Sequence, residues 1–291
     1  MKQNIWLIAL GAAIALSSIA FPFIIGNIVT KYNTTETIDY SLVFLAGIAI
    51  ITTPSLRFIA NLTVQKYNAK TRTLNKKSVI LNIIDPKAKS ISPGRAIDLV
   101  DGDTDGTIYL FHGIYLDITS NFALLILAFS VILYNYPVYA IPPAVAITYS
   151  LITQHLHHKK LPKLFDHYIE QNTMHLESVC SGLNSNRDFR YVLQSTARKR
   201  LLKTCIKSNF KLSVLEFSSS LSYLLGLVTL ILLYTHVVNH DSYSTGAFIS
   251  AALYVEKVLV PVFGLISIYY STAESQSRKK RIDKNTGLTS K

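Results

Sequence analysis

Long apolar segments, separated by polar connections, are the feature that most limits how this chain can fold. Crossing about 30 Å of hydrocarbon takes roughly 20 mostly apolar residues in a helix. Six segments reach or approach that length: 5–29, 40–60, 107–134, 138–152, 212–238 and 246–270. Pro142, Pro143 and Pro261 lie inside them and are tolerated where neighbouring helices satisfy the freed carbonyls. We therefore predict an all-α membrane protein with six long transmembrane helices.

The composition agrees with a membrane protein. Of the 291 residues, 49% are apolar and only 16% are charged, whereas a soluble domain carries about 25% charged residues. The net charge of +12 does not indicate nucleic-acid binding, because the basic residues alternate with apolar segments and form no single basic domain. We expect the lipid bilayer, and no nucleic acid, as a partner.

The positions of Lys and Arg predict the orientation in the membrane. Residues 66–95 contain eight, residues 159–211 contain eleven and residues 278–291 contain six, whereas the other three connections contain only Lys31. The positive-inside rule places both termini and the two long connections in the cytosol. A cleaved signal peptide is an alternative for the first segment, but its apolar run continues without a break through residues 21–25.

Two helices are predicted to extend beyond the bilayer. Apolar residues keep a three-to-four spacing after residue 60, and the first strong breaker is Asp85-Pro86, so the second helix should run from Tyr40 to Ile84. At 1.5 Å per residue it would be about 68 Å long. The fourth helix should likewise continue from residue 138 to about residue 179. A cytosolic bundle would then bury the apolar stripes of these extensions.

No metal site is expected in this chain. His155, His157 and His158 precede two lysines and have no acidic or Cys companion at ligand spacing, so they are interpreted as part of a basic interfacial collar. Cys180 and Cys205 also lack metal-ligand spacing and fall on the predicted cytosolic side, where free reduced thiols are expected.

The first long connection contains the sequence SPGRAIDLVDGD at residues 92–103. This segment resembles the first intracellular loop of ABC exporter transmembrane domains, in which a Gly opens a short coupling helix and an Asp follows nine residues later, as Gly94 and Asp103 do here. The second connection, with Gly182-Leu183 and Phe189, falls where that family has its second coupling helix. There the match is looser, because the polar stretch 187–190 replaces a more apolar one.

The last helix carries a third similarity to that family. It opens with Gly246, contains Pro261 and closes with Arg281-Ile282, and the number, order and spacing of the helices agree over essentially the whole chain. The resemblance implies that residues 1–284 form an exporter-like transmembrane domain with two intracellular coupling loops. Residues 285–291 would be a short polar cytosolic tail.

The end of the chain departs from many members of that family, which continue into an ATP-binding domain. The sequence contains no G-x-x-x-x-G-K-[ST] motif to hold phosphates. We therefore expect no enzyme activity and no bound cofactor in this chain, with ATP bound by a separate ABC ATPase subunit. By resemblance, that subunit would contact a set of coupling residues: Gly94, Arg95, Asp98, Leu99, Asp103, Gly182, Leu183, Arg187 and Phe189.

Ionisable residues at bilayer depth mark the candidate substrate pathway, because they are costly there. Glu256 and Lys257 lie near the midplane, and adjacent helical residues point about 100° apart, so each is expected to meet a group on another helix. A packing ion pair is the alternative. Arg57 either snorkels or faces a cavity. Asp117, for which cytosolic solvation is the alternative, and Tyr254 complete the candidates.

The expected function is that of the permease subunit of an ABC-type exporter, a homodimer or a heterodimer with a related chain, in a bacterial inner membrane. One alternative is an ATPase-independent, proton-coupled transporter with the same fold, in which Glu256 or Asp117 carries the proton. A second alternative is a non-transporting regulatory subunit, whose function would survive loss of every intramembrane charge.

Overall fold

A computed structural model describes residues 2–84, 91–157, 160–184, 196–237 and 245–286, and every regular element in these ranges is helical. In lipid, backbone N–H and C=O groups must bond within their own segment, which apolar segments achieve as helices. The α-helices are α1 (Lys2–Thr35), α2 (Tyr40–Ile84), α3 (Pro93–Ile97), α4 (Thr104–Thr107), α5 (Gly113–Asn135), α6 (Ile141–His157), α7 (Lys160–Asn184), α8 (Thr196–Val237) and α9 (Thr245–Thr286). A π-helical turn (Asp98–Asp103) and two 3₁₀ turns (Ile108–Leu110 and Pro137–Ala140) complete these elements.

Five stretches are long and apolar enough to cross a membrane: α1, α2, Pro93–Asn135, α8 and α9. The chain is therefore a multi-pass membrane protein. The fourth predicted span lies in α6, which has 17 residues and falls short of the roughly 20 that a helix needs. The long helix predicted from residue 138 to residue 179 is described as α6 and α7, and residues 158–159 between them lie outside the described ranges.

The helix ends were predicted unevenly. α2 runs from Tyr40 to Ile84, as the position of the first breaker predicted. α8 begins at Thr196, well before the apolar segment that starts at residue 212. The sequence did not predict this earlier start, because the first turns of the helix are basic and give no hydropathy signal. The third helix becomes continuous only at Gly113, after the π and 3₁₀ turns.

The chain divides into two compact units, and several helices contribute to both. The first unit comprises Met1–Val64, Ile114–Gln154 and Glu216–Ile268. Its core contains small and branched residues of α5, α6, α8 and α9, including Ala128, Ala146, Leu230 and Val255. α1 packs on α9 through Ser250, whose Oγ donates to the Pro22 carbonyl at 3.1 Å. Small side chains at these contacts let helices approach closely without a hydrophobic driving force between them.

A short polar connection joins α1 to α2 in the first unit. Glu36 ends α1 in the left-handed region at φ 54°. Asp39 then accepts a 3.0 Å hydrogen bond from the Ser41 backbone N–H at the start of α2 and a 2.6 Å ion pair from Lys31. These bonds hold the pKa of the Asp39 carboxyl well below its usual range. The connection is therefore closed by local polar contacts.

The second unit comprises Gln65–Gly113, His155–Leu215 and Tyr269–Lys291. One buried apolar cluster of the second unit contains Val79 of α2, Leu99 of the π turn and Ile282 of α9, with Ile83 and Val100 packed against them. Polar contacts next to this cluster also hold the first long connection in place.

Candidate coupling and transport sites

Helix α3 lies directly against α7 in the second unit. A Cβ placed on Gly94 would lie 2.6 Å from the backbone N of Glu177, so only glycine permits this approach. Ser92 reinforces the contact by donating its hydroxyl to Glu177 Oε1 at 2.9 Å. The glycine that the sequence singled out therefore seats the first connection on α7.

The π turn that follows α3 directs two carboxylates to the same side. Its closing bond runs from the Thr104 N–H to the Leu99 carbonyl, five residues back. In an α-helix with 3.6 residues per turn, residues five apart point about 140° apart, and the wider π turn reduces the angle between them. Asp98 and Asp103 are five apart and face the same partner, Arg281. The turn is thus what allows one guanidinium to hold both.

Arg281 joins three elements at this point. Its NH2 donates to Asp98 Oδ2 at 3.0 Å and to Thr173 Oγ1 of α7 at 2.5 Å, and its NH1 donates to Asp103 Oδ1 at 3.3 Å. Asp98 also accepts from the Thr173 hydroxyl at 2.5 Å and from Asn172 Nδ2 at 3.2 Å. Charge-assisted bonds of this kind are about twice as strong as neutral ones.

A second arginine supports the same contact. Arg278 NH1 lies 3.5 Å from Asp103 Oδ1 and donates to the Gly102 carbonyl at 3.1 Å, while its NH2 pairs with Glu274 at 2.8 Å. The stem of Arg278 lies where a Cβ of Gly106 would stand, so this glycine is also required by close packing. We refer to Asp98, Asp103, Arg278 and Arg281 as the charge cluster.

Asp103 is the most deeply buried member of the charge cluster, with none of its side chain exposed. Its Oδ2 is buried and accepts no hydrogen bond from the part of the chain that the structure describes. Burial raises the pKa of Asp103 to about 6, against the opposing effect of Arg281, and the neighbouring Asp98 carboxylate raises it further. A proton on Oδ2 is thereby favoured in mildly acidic solution.

The raised pKa of Asp103 predicts how stability changes with pH. The folded chain binds the proton more tightly than the unfolded chain, so this group's contribution is fully present below about pH 4 and is lost as the pH rises through about 6. At about 1.4 kcal/mol per pKa unit, the loss is on the order of 3 kcal/mol. We expect Asp103→Asn to remove that dependence, measured as the difference between the wild-type and variant melting temperatures at pH 4 and pH 7. Equal pH profiles would contradict it.

Surface ion pairs attach the outer side of this connection to α2. Lys76 Nζ lies 2.7 Å from Asp101 Oδ1, and Arg72 Nε lies 3.1 Å from Asp105 Oδ1. The hydrogen bond to Asp101 raises the pKa of Lys76. These pairs are exposed and screened by solvent, so we regard them as positioning contacts that add little stability.

The structure separates the predicted coupling residues into interior and surface groups. Asp98, Leu99 and Asp103 are at most 3% exposed, so they hold the connection together and present no surface to a partner. Arg95 is only partly covered, and Ile97 is 49% exposed. In the second connection, Gly182 is buried near the end of α7, which also contains Leu183. Arg187 and Phe189 lie outside the described residues.

An exposed apolar groove lies beside the surface residues of the first connection. It is lined by Ile80, Ile83 and Ile84 of α2 together with Ala96, Ile97, Val100 and Asp101. Ile84 is 70% exposed and Ile97 is 49% exposed, so the groove presents apolar surface. Sequence reasoning missed this groove because it placed the α2 isoleucines inside a cytosolic bundle.

A cavity of about 390 Å³ lies in the first unit and brings together three predicted pathway residues, Arg57, Glu256 and Lys257. The rest of its lining is apolar or hydroxylic: Ser18, Phe21, Ala49, Ile50, Thr53, Pro54, Leu124 and Val260. We refer to it as the first-unit cavity. A transport role for its residues stays a prediction.

The expectation that Glu256 and Lys257 would each meet another helix was wrong. Lys257 Nζ lies 3.7 Å from Glu256 Oε1, so the two neighbours pair with each other. Their Cβ atoms diverge on the helix, but both side chains are long enough to bend towards a common point. The rotation of about 100° between successive helical residues fixes the directions of their Cβ atoms, but it does not fix the positions of the charged ends of long side chains.

The other two pathway candidates lie elsewhere in the first unit. Tyr254 is fully buried in the core and donates its hydroxyl to the Ile19 carbonyl at 3.1 Å, which ties α9 to α1. Asp117 is partly buried on α5, and its backbone carbonyl accepts from Asn121 Nδ2 at 2.8 Å. Neither lines the first-unit cavity. Within the described ranges, no three His, Cys, Asp or Glu side chains are arranged to hold a metal ion.

Comparisons with known proteins identify the fold. No family model matches this chain, and no curated protein matches it. A solved structure described as a bacterial Atm1-family ABC exporter with ATP bound superimposes with a TM-score of 0.79 at 12% identity. The match covers 98% of this chain and 53% of that protein, so this chain spans about half the exporter's length. The fold is that of an ABC exporter transmembrane domain, as the sequence predicted.

Proposed function

We propose that this chain is the permease subunit of an exporter-type transporter, which pairs with a second copy or a related chain and is driven by separate ABC ATPase subunits. The fold supports the class of protein. The charge cluster is the observation that carries the proposal, because it fixes the first connection to α7 and to α9 at one point. α9 is also the helix that contains Glu256 and Lys257.

The apolar groove is the proposed docking surface for the ATPase subunit. It adjoins the residues that resemble a coupling helix, and the exposed side chains of Ile84 and Ile97 offer a partner apolar area that is otherwise left in water. The charge cluster holds the first connection rigidly. A force applied at the groove would therefore move that connection as one piece. ATP would bind to the partner and not to this chain.

Pairing with a second chain is supported by α2. Only 11% of its most apolar window is buried within this chain, which leaves a large apolar face that lipid or a partner chain would cover. The distribution of basic residues supports cytosolic termini in a bacterial inner membrane.

The proposal is tested by isolating the tagged chain from gently solubilised membranes of its native host. We expect a separate ATP-binding subunit in the eluate, identified by mass spectrometry, with vanadate-sensitive ATPase activity. Recovery of this chain alone, with transport that an uncoupler abolishes, would replace the proposal with the proton-coupled alternative. Recovery alone with no transport would favour the regulatory alternative.

The groove makes a sharper prediction. Replacing Ile97 with Asp places a charge in an apolar contact that the partner must desolvate, so we expect at least a tenfold loss of co-purified ATPase with unchanged membrane insertion. Leu74→Asp is the matched control, because Leu74 is 58% exposed in the same unit but does not line the groove. Equal loss in both variants, or in neither, would contradict docking at the groove.

A further inference from the structure

We infer that the first-unit cavity binds an amphipathic organic anion, whose charged head lies between Arg57 and Lys257 and whose apolar body fills the remaining volume. The bound anion would be the cargo of the permease proposed above. Its interpretation as cargo rests on that proposed function.

The charge balance of the cavity is positive. Of its three ionisable residues, Arg57 and Lys257 are cationic and Glu256 is anionic. Glu256 is already engaged, since Lys257 Nζ lies 3.7 Å from its carboxylate. Arg57 has no carboxylate within 4.0 Å in the described part of the chain. Arg57 is an exposed residue on this cavity, so its guanidinium is accessible, and a bound anion would supply the counter-charge that the lining does not.

The remaining polar groups in the lining do not compete for this role. The Ser18 hydroxyl donates to the Ile14 carbonyl at 2.7 Å, and the Thr53 hydroxyl donates to Ser17 Oγ at 3.0 Å. Both hydroxyl groups therefore already donate their hydrogen bonds within the protein. Arg57 is the strong donor left without a carboxylate partner. Lys257 is shared with Glu256 at 3.7 Å and can offer a second of its three N–H groups to the same head group, so the site selects for a negative ligand.

The rest of the lining selects for an apolar body. Phe21, Ile50, Leu124 and Val260 contribute apolar side chains to the same lining. The volume of about 390 Å³ lies within the range of about 300–1,000 Å³ that small-molecule pockets occupy. A small inorganic anion would leave these apolar walls unfilled, and a wholly apolar molecule would leave Arg57 unpaired.

A cationic ligand fits the cavity less well. It would have to displace Lys257 from Glu256 and would still face Arg57. The two ligand classes therefore respond in opposite directions to Glu256→Gln. Removing this carboxylate frees Lys257 and strengthens binding of an anion, whereas it removes the counter-charge that a cation needs.

The test measures binding to the purified chain in nanodiscs and requires no ATPase. The probe is 1-pyrenebutanoate, followed by fluorescence with empty nanodiscs subtracted, and 1-pyrenebutanol is its uncharged analogue. We expect the anion to bind the wild-type chain at least tenfold more tightly than the alcohol. Arg57→Gln should abolish that preference, Lys257→Gln should reduce it severalfold, and Glu256→Gln should increase it. The alcohol should bind all of these variants equally, which shows that they are folded.

Lys66→Gln is the matched control, because Lys66 is an exposed cation on the same helix as Arg57 and lies outside the cavity. It should retain the wild-type preference. Equal binding of the anion and the alcohol to the wild-type chain would overturn the inference, as would weaker anion binding to Glu256→Gln. Absence of the anion preference would not affect the recovery of an ATPase subunit from membranes. Absence of an ATPase subunit would not affect anion binding in nanodiscs, so the two experiments test the two proposals separately.

Discussion

Arg281→Ala is expected to destabilise the second unit more than any other single substitution in the charge cluster. It leaves Asp98 and Asp103 buried without their shared guanidinium, and it removes the bond to Thr173. Removing one partner of a buried ion pair costs about 3–5 kcal/mol, and we expect about 3 kcal/mol because Arg281 is 21% exposed. In detergent this corresponds to a fall of roughly 6–12 °C in melting temperature.

A charge rescue separates electrostatics from lost packing. Adding Asp98→Asn and Asp103→Asn to the Arg281→Ala chain removes the two uncompensated carboxylates, so we expect at least half of the lost stability to return. Lys279→Ala is the control, since Lys279 is an exposed basic residue of the same helix. If Arg281→Ala melts within 2 °C of the control, the cluster does not hold the connection as described.

Gly94→Val is expected to have the second large effect, and it acts through shape and not charge. The first atom of the new side chain would lie 2.6–2.8 Å from backbone atoms of Leu176 and Glu177, so α3 must move away from α7. Overpacking of this kind costs about 1–3 kcal/mol. Because the proposed docking surface would move with α3, the proposed function predicts that ATP hydrolysis by the assembled complex loses its stimulation by cargo.

Gly47→Val is the matched control for the glycine substitution. A Cβ on Gly47 meets nothing within 4 Å, although this residue also lies in a helix. Gly47→Val should therefore retain the stimulation of ATP hydrolysis by cargo. Because valine has the same intrinsic helix propensity at both positions, comparing the two variants removes that effect. Trypsin cleavage after Arg95 of α3 should be faster in Gly94→Val than in the control. Identical digestion would show that α3 is not displaced.

The sequence predicted the class of fold because hydropathy is a local signal. Each apolar segment carries its own evidence of length, and the breaker after Ile84 ended α2 where the structure ends it. The start of α8 was missed because residues 196–211 are basic and give no hydropathy signal. α6 is too short to cross by length, so six spans are not established by the described helices.

The charge cluster was only half visible in the sequence. Resemblance drew attention to Asp98, Asp103 and Arg281, but it assigned the two aspartates to a partner surface, whereas they are interior. The pairing of Asp98 with Arg281 joins positions 183 residues apart, and no local pattern reports contacts of that range. Arg278 had a weak signal of its own, because Glu274 precedes it by four residues, a common helical ion pair.

The π turn has a consequence for how the gene can vary. Insertion or deletion of a single residue between Asp98 and Asp103 would change the angle between the two carboxylates by the rotation of one residue, and Arg281 would then lose one of them. The polar connection at residues 36–39 carries no such angular requirement. Homologous chains should therefore differ freely in length between the first two helices, whereas the first long connection should keep its residue count even where its identities have drifted.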